Sequence, residues 1–318
     1  MPYYLGIDGG GTKTTSAIAD DSQTLATASA GPSNIVRVGE AQARESLHQS
    51  VRQACAAAGI TPAQIAHTCV GGSGAARPEL AAIVRHILSE LLPPPIDVVG
   101  DIQIALEAAF DTGPGVIVIA GTGSIAYGRD DAGRTARAGG WGFAIGDEGS
   151  AHWIGRAAVS AVLRAADPRD GNPAGRSPAR TTPLQDTSLA AALGRAWGVT
   201  SLDDLARLAN SIPPPDLAAL FSAVAASRDA LAVQVLSSAG TELAQIAAVV
   251  TRHLFASEQV ATIPVAMIGG VFRHSPLVRG DFYNGLRRLD PRAEVFPQVV
   301  DPVAGALRLA RRAAAKTT

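Results

Sequence analysis

The stretch YYLGIDGGGTKTTSAIAD, residues 3–20, decides the fold class. Its two ends, residues 3–8 and 14–20, are short and mostly apolar, as buried β-strands are, and a turn of glycines with a threonine and a lysine joins them. Residues 24–30 form a third strand pattern after a polar turn. Three strands joined by two short turns predict an antiparallel meander.

Downstream of the meander, helical and strand patterns alternate. Spacing and turn residues predict helices over residues 41–58, 78–92 and 102–110, and strands over residues 65–70 and 96–100. Strands that alternate with helices predict parallel neighbours in the sheet. The first part of the chain is therefore predicted to be an α/β domain.

The opening pattern returns after Gly113-Pro114-Gly115, in the stretch GVIVIAGTGSIAYGRDD, residues 115–131. Again an apolar strand ends in a glycine and threonine turn, and a second strand and a polar turn follow. An internal duplication explains this repetition. We predict a first domain over residues 1–112 and a second over residues 113–302 with helical insertions, and we expect the C-terminal helix, residues 303–318, to pack on the first.

Composition excludes several classes of function. Of 318 residues, 47% are hydrophobic and 17% charged, which predicts a folded chain. The formal net charge is −1, so no global field favours nucleic acid or an anionic membrane as a partner. Two cysteines cannot form a disulfide framework or a four-thiolate site. Neither a leader nor a membrane span is expected, which predicts a cytoplasmic protein.

The first glycine turn has the chemistry of a phosphate-binding loop. Glycines lack Cβ atoms, so the backbone N–H groups of Gly10 and Gly11 can approach phosphate oxygens, and Thr12 and Lys13 add polar side chains. The Asp8 carboxylate can hold Mg²⁺ through water. The alternative is a tight hairpin without a ligand, because the pattern lies between two strands and matches neither common nucleotide-binding signature.

Two later glycine turns extend this interpretation to a nucleotide. Gly121, Thr122 and Gly123 follow the apolar strand of the repeat, where a second donor-rich turn can contact the same polyphosphate. Gly269 and Gly270 end a further apolar strand and offer bare backbone to an adenosine. Each of these two turns alone is a weak signal. The turns at residues 8–12 and 121–124, which lie in equivalent places of the two halves, are together a much stronger one.

Asp101 follows a short predicted strand, at the edge of the sheet where α/β proteins bind ligands. A carboxylate there can accept the proton of a hydroxyl group that attacks a phosphoryl group. The alternative role is the N-cap of the following helix, and the two roles are compatible.

The densest motif is GGWGFAIGDEGS, residues 139–150. Trp141 offers an apolar face to a sugar ring, and the carboxylates of Asp147 and Glu148 can accept hydrogen bonds from sugar hydroxyls. A glycine loop whose acidic residues merely favour a helix N-terminus is the alternative.

These motifs resemble the BadF/BadG/BcrA/BcrD ATPase family of the actin, Hsp70 and sugar-kinase superfamily, and within it the N-acetylglucosamine kinases. The resemblance implies two RNase H-like (actin-like ATPase) domains with a nucleotide cleft between them, and ATP and Mg²⁺ as cofactors. It implies phosphate contacts at Thr12 and Thr122, adenosine near Gly270, and the base at Asp101. The sugar contacts that it implies are Asn34, Gly140, Trp141, Gly142 and Asp147.

The implied activity is ATP-dependent phosphorylation of an amino-sugar 6-hydroxyl. Ile35 and Val36 follow Asn34, where eukaryotic-type members carry an aromatic residue two positions beyond the asparagine, so the acceptor stays open among N-acetylglucosamine, glucosamine and N-acetylmuramic acid. An ATPase activator of an electron-transfer system is the main alternative, and a catalytically silent sugar sensor is a weaker one. The resemblance also implies a homodimer.

Overall fold

A computed structural model describes residues 2–166, 189–256 and 260–316. The chain divides into two compact units. The first unit combines residues Met1–Gly115 with Val300–Thr318, and the second is Val116–Val299.

The first unit is built on a five-stranded sheet in the order β3-β2-β1-β4-β5. Its strands are β1 (Tyr3–Gly9), β2 (Thr14–Ala19), β3 (Thr24–Ala30), β4 (Ile65–Gly72) and β5 (Ile96–Gly100). The first three pair antiparallel, which confirms the predicted meander, and β4 pairs parallel with both β1 and β5. β1 is almost wholly buried because it lies at the centre of the sheet.

Four α-helices accompany this sheet: α1 (Ile35–Ala58), α2 (Pro78–Ser89), α3 (Asp101–Phe110) and, from the end of the chain, α11 (Pro302–Ala315). Leu47 and Val51 of α1 pack with Ile87 and Leu88 of α2 in one core cluster. The helix α11 packs with Tyr4 and Ile104 in a second cluster. A Cβ on Gly6 would lie 2.7 Å from the Leu307 backbone nitrogen, so glycine in β1 permits the close approach of α11.

The second unit carries a sheet in the order β10-β9-β6-β7-β8. Its strands are β6 (Gly115–Ala120), β7 (Ser124–Arg129), β8 (Thr135–Gly139), β9 (Ile263–Ile268) and β10 (Ala293–Val300). When the five strands of each unit are numbered along the chain, both sheets have the order 3-2-1-4-5. The structure therefore confirms that the repeated sequence pattern encodes a repeated strand order.

The helices of the second unit are α4 (Ala151–Ala165), α5 (Leu189–Trp197), α6 (Leu202–Ala209), α7 (Phe221–Ala226), α8 (Ala230–Leu254), α9 (Gly270–His274) and α10 (Pro276–Leu289). By length and composition alone, α8 is the one helix among the described residues that could cross a membrane. Leu236, Leu243 and Val250 of α8 are buried in the core of the unit. Its apolar face thus has a packing role.

Most predicted elements are confirmed within a few residues. The helix predicted from residue 41 begins at Ile35 instead and is interrupted at Gly39, whose φ of 78° is not helical. The alternative in which Asp101 caps α3 is wrong, because Gly100 occupies the cap and Asp101 is the first helical residue. The predicted α/β class is confirmed by these two sheets, one in each compact unit.

Candidate active site

Three strands of the first sheet end side by side. Gly9 of β1 lies opposite Gly72 of β4, and Gly72 lies opposite Gly100 of β5. Neighbouring strands are about 4.8 Å apart, so Gly9 and Gly100 are separated by about 10 Å. This register places the first glycine turn and Asp101 at the same carboxyl edge of the sheet.

The first glycine turn is a tight hairpin between β1 and β2. The Gly10 N–H donates to the Lys13 carbonyl at 3.0 Å, and the Ser33 N–H donates to the Gly10 carbonyl at 3.1 Å. Asp8 is half-buried next to the end of β1, whereas Thr12 and Lys13 are exposed. The predicted phosphate-contact residues are thus grouped in one exposed turn.

Asn34 lies at the start of α1 and caps it. Its Oδ1 accepts a hydrogen bond from the Val36 N–H at 3.1 Å. The preceding Ser33 is buried, and its Oγ accepts from Thr14 Oγ1 at 2.7 Å. A Cβ on Gly9 would lie 2.9 Å from that Ser33 oxygen, so the loop with Asn34 lies directly against the end of β1.

Asp101 is held at the start of α3. Burial raises the pKa of Asp101, while hydrogen bonds from the Ile102 N–H and the Ser73 hydroxyl act in the opposite direction. The bond from Ile102 to Oδ1 is 2.9 Å long. A half-buried carboxylate with a raised pKa is chemically suited to accept a proton.

In the second unit, the two predicted glycine turns lie against each other. A Cβ on Gly269 would lie 2.4 Å from the Ala120 carbonyl oxygen and 3.1 Å from the Gly121 nitrogen. Gly269 also has a φ of 105°, which favours glycine. The structure therefore brings the predicted adenosine turn and the second phosphate turn together at the end of β6.

The start of α4 is hydrogen-bonded to the GTGS turn, residues 121–124. The Ala151 N–H donates to the Gly121 carbonyl at 2.9 Å, and the His152 N–H donates to the Thr122 carbonyl at 3.3 Å. The Ser124 hydroxyl donates to the carbonyl of Glu148 at 2.7 Å. These bonds fix the GTGS turn against the segment that leads into α4.

Asp147 is the best-defined acidic residue of this segment. It is 8% exposed, has a φ of 59°, and accepts a hydrogen bond from the Gly142 N–H at 3.2 Å. Burial raises the pKa of Asp147 despite hydrogen bonds from the Gly142 and Ser124 backbone, and the nearby Glu148 adds to the rise. A Cβ on Gly123 would lie 2.6 Å from its Oδ2, so the phosphate turn and Asp147 are in contact.

Trp141 projects from the same segment and is 70% exposed. Arg137 of β8 places its guanidinium carbon 5.1 Å from the centre of the indole ring. The same Arg137 donates to the carbonyls of Gly139 and Gly140 at 3.2 and 3.1 Å. Cation–π contact and two hydrogen bonds thus support an otherwise free aromatic surface.

Sequence reasoning missed two residues that support this site. Ser73 is a hydrogen-bond partner of Asp101, and Arg137 lies over Trp141. The GGSG stretch at residues 71–74 repeats the combination of glycine and hydroxyl found in the predicted turns, so Ser73 had a signal. No sequence signal indicated Arg137, because a single arginine in a strand is common.

The carboxylate beside the first glycine turn fits a magnesium ion that binds together with phosphates. Among the residues that the structure describes, no group of three or more His, Cys, Asp or Glu side chains is arranged to hold a metal. Mg²⁺ needs no such cage, because it commonly binds one or two carboxylates, several waters and substrate phosphates. The single carboxylate of Asp8 beside the glycine turn agrees with that mode.

The model of the BadF/BadG/BcrA/BcrD ATPase family matches residues 5–310. The N-acetylmuramic acid/N-acetylglucosamine kinase of Clostridium acetobutylicum is 40% identical over 171 residues, which cover 53% of this chain and 56% of that protein. The N-acetyl-D-glucosamine kinase of Dictyostelium discoideum is 33% identical over 175 residues, which cover 52% and 55%. The chain thus spans about half the length of the curated relatives it matches.

A solved structure shows the same fold over nearly the whole chain. It belongs to a candidate N-acetylglucosamine kinase of Chromobacterium violaceum, with 26% sequence identity and a TM-score of 0.72. The similarity covers 98% of this chain and 99% of that one.

Proposed function

We propose that this chain, which belongs to the BadF/BadG/BcrA/BcrD ATPase family, is an ATP-dependent kinase that phosphorylates the 6-hydroxyl of an amino sugar. The observation that carries the proposal is the register of Gly9, Gly72 and Gly100, which places Asp101 and the hairpin at residues 10–13 on one edge of the sheet. The names of the relatives favour N-acetylglucosamine or N-acetylmuramic acid as the acceptor.

Asp101 acts as the general base in this proposal. It accepts the proton of the sugar hydroxyl while the oxygen bonds to the γ-phosphorus and the bond from that phosphorus to the β-phosphate oxygen breaks. Its raised pKa makes it a better proton acceptor than an exposed aspartate. Phosphoryl transfer otherwise requires placement and neutralisation of charge.

The glycine turns supply that placement. Backbone N–H groups of Gly10 and Gly11, with Thr12 and Lys13, bind phosphate oxygens from the first unit. Gly121, Thr122 and Gly123 bind them from the second unit, and Gly269 and Gly270 approach the adenosine. Mg²⁺, with Asp8 as its carboxylate through water, neutralises phosphate charge when ATP is bound.

Sugar contacts complete the proposal. Asn34 and Asp101 in the first unit, and Gly140, Trp141, Gly142, Asp147 and Glu148 in the second, bind the ring and its hydroxyls. Trp141 is suited to an apolar sugar face because its ring is exposed and supported by Arg137. Cytoplasmic location and a homodimer remain predictions of this account.

Both cysteines count against the alternative of an electron-transfer activator. Cys55 and Cys69 are each 1% exposed. Burial raises the pKa of Cys55 to about 11 and, together with Asp97 and Glu107, that of Cys69 to about 12. A cluster shared at a dimer interface needs thiolates that reach that interface, whereas these two thiols are packed in the core of the first unit and their raised pKa favours the protonated form.

The test is ADP release with N-acetylglucosamine, glucosamine, N-acetylmuramic acid, N-acetylmannosamine and glucose as acceptors. Asp101→Asn removes the base, whereas Asp97→Asn changes the aspartate of β5, the strand that leads into Asp101, and serves as the matched control. We expect Asp101→Asn to lower kcat by about 100-fold or more with little change in sugar affinity, and Asp97→Asn to stay near the parent rate. A parent rate in Asp101→Asn contradicts the assignment of the base.

A further inference from the structure

Residues 140–146, the sugar segment, carry part of the proposed sugar site and are rich in glycine. Gly140 and Gly142 have φ values of 70° and 92°, which glycine adopts at little cost. Glycines also leave a segment more conformations to lose, so a ligand that must order the segment binds less tightly. The large apolar side chains of the segment are all exposed: Trp141 (70%), Phe143 (56%) and Ile145 (80%).

Phe143 of the sugar segment contacts a side chain of helix α4. The ring centres of Phe143 and His152 are 5.0 Å apart, and the two ring planes are tilted by 47°. This distance lies within the range of favourable aromatic pairs. Phe143 directly follows Gly142, whose N–H donates to Asp147. The ring pair therefore lies next to a backbone position that the proposed function assigns to the sugar.

His152 is attached to the GTGS turn through its backbone. The His152 N–H donates to the Thr122 carbonyl at 3.3 Å, and the Ala151 N–H donates to the Gly121 carbonyl at 2.9 Å. A shift of the turn therefore moves the first residues of α4, and with them the ring that Phe143 contacts. One chain of contacts thus runs from the proposed phosphate contacts to the sugar segment.

We propose that Phe143 and His152 are positioning residues that couple the two substrates, an inference that rests on the proposed function. Phosphates bound at Thr122 fix the turn and the start of α4. The ring pair then fixes Phe143 and the backbone beside it, so the sugar binds a segment that is already ordered. Such coupling is reciprocal, because the sugar raises the affinity for the nucleotide by the same factor.

The test measures this coupling factor by calorimetry in the full-length protein. The dissociation constant for N-acetylglucosamine is determined without nucleotide and with saturating AMP-PNP and Mg²⁺. Phe143→Ala and His152→Ala each remove one ring, and His152→Phe keeps a ring at the same place. Ile145→Ala is the matched control, because it removes a more exposed apolar side chain of the same segment.

We expect AMP-PNP to raise the sugar affinity of the parent by about fivefold or more. In Phe143→Ala and His152→Ala that factor falls to about twofold or less. The double variant has the same factor as either single variant, because one contact is lost only once. His152→Phe and Ile145→Ala keep the factor of the parent. A merely structural role lowers sugar affinity equally with and without AMP-PNP, which leaves the factor unchanged.

Two kinds of failure are distinguishable. A parent protein that phosphorylates the sugar with a coupling factor of one, or ring variants that keep the parent factor, overturns the coupling and leaves the kinase intact. A lowered factor in Ile145→Ala overturns it as well. Phe143→Ala decides if circular dichroism shows that His152→Ala does not fold. A parent protein that phosphorylates no sugar overturns the proposed function, and the coupling is rejected with it.

Discussion

Asp101 combines a raised pKa with three hydrogen bonds that favour its charged form, from the Ile102 N–H, its own N–H and the Ser73 hydroxyl. As a base it must be ionised, so kcat/KM falls as pH drops through its pKa, and that acid limb lies above the ordinary range of an exposed aspartate. Ser73→Ala removes one of the bonds, which raises the pKa further and shifts the limb to higher pH. A pH–rate profile of both proteins measures the shift.

The control for this profile is Ser89→Ala, since the Ser89 hydroxyl donates to the His86 carbonyl at the exposed end of α2. Its acid limb is expected to coincide with that of the parent. A Ser73→Ala profile without displacement, or one moved to lower pH, excludes Ser73 from the setting of the base.

At Asp147, one substitution can remove the charge of the side chain while the backbone conformation is kept. Asparagine tolerates the φ of 59° observed there, so Asp147→Asn removes the charge and keeps the loop. We expect KM for the sugar to rise by about tenfold, because a charged acceptor is lost from the sugar site. Asp131→Asn, in the exposed turn between β7 and β8, is the control. Steady-state kinetics with equal KM in Asp147→Asn and the parent argue against a sugar contact at Asp147.

At the scale of elements, Gly269 joins strand β9 to helix α9 where no side chain fits. A Cβ there would meet the Ala120 carbonyl at 2.4 Å, and both partners are backbone. Gly269→Ala must therefore displace the end of β6 and with it the GTGS turn. We expect ATP affinity, measured by calorimetry, to fall by about tenfold or more, whereas Gly280→Ala, which meets nothing within 4 Å, leaves it unchanged. Equal affinities in both variants contradict a nucleotide role for this turn.

The attachment of α11 to α3 depends on a charged pair. Glu107 is 5% exposed and pairs with Arg312, whose Nη1 donates to Glu107 Oε2 at 3.2 Å. Arg312→Met leaves the buried carboxylate without its partner. We expect a loss of about 3 kcal/mol in unfolding free energy, the low end of the range for broken buried pairs, because Arg312 is itself half-exposed. Urea titration measures this loss in unfolding free energy. An unfolding midpoint of Arg312→Met equal to that of Arg288→Met, which changes an exposed arginine, rejects the stabilising role of the Glu107–Arg312 pair.

Sequence predicts these elements well where one local pattern decides them. The meander follows from apolar runs and turn residues, and strand β5 has the same bounds as predicted. Sequence does not predict the start of α1, because Gly39 interrupts the helix and the Asn34 cap lies about two turns before the predicted start at residue 41. The contact of Gly269 with the GTGS turn joins residues almost 150 positions apart, which no local pattern encodes.

At the scale of the whole molecule, one strand order occurs twice. In each unit the first strand ends in a glycine turn, so a pattern visible in the sequence becomes a repeated arrangement of backbone donors. The candidate site residues were found from the sequence because they cluster in such turns. Ser73 was not, since it follows β4 whereas its hydrogen-bond partner Asp101 begins α3.

The most direct test of the kinase is the fate of the γ-phosphoryl group. The protein is incubated with ATP, Mg²⁺ and N-acetylglucosamine, and ³¹P NMR with proton correlation follows the products. The account predicts a phosphate monoester coupled to the C6 protons of the sugar, formed in step with ADP. Release of inorganic phosphate beside unchanged sugar contradicts it.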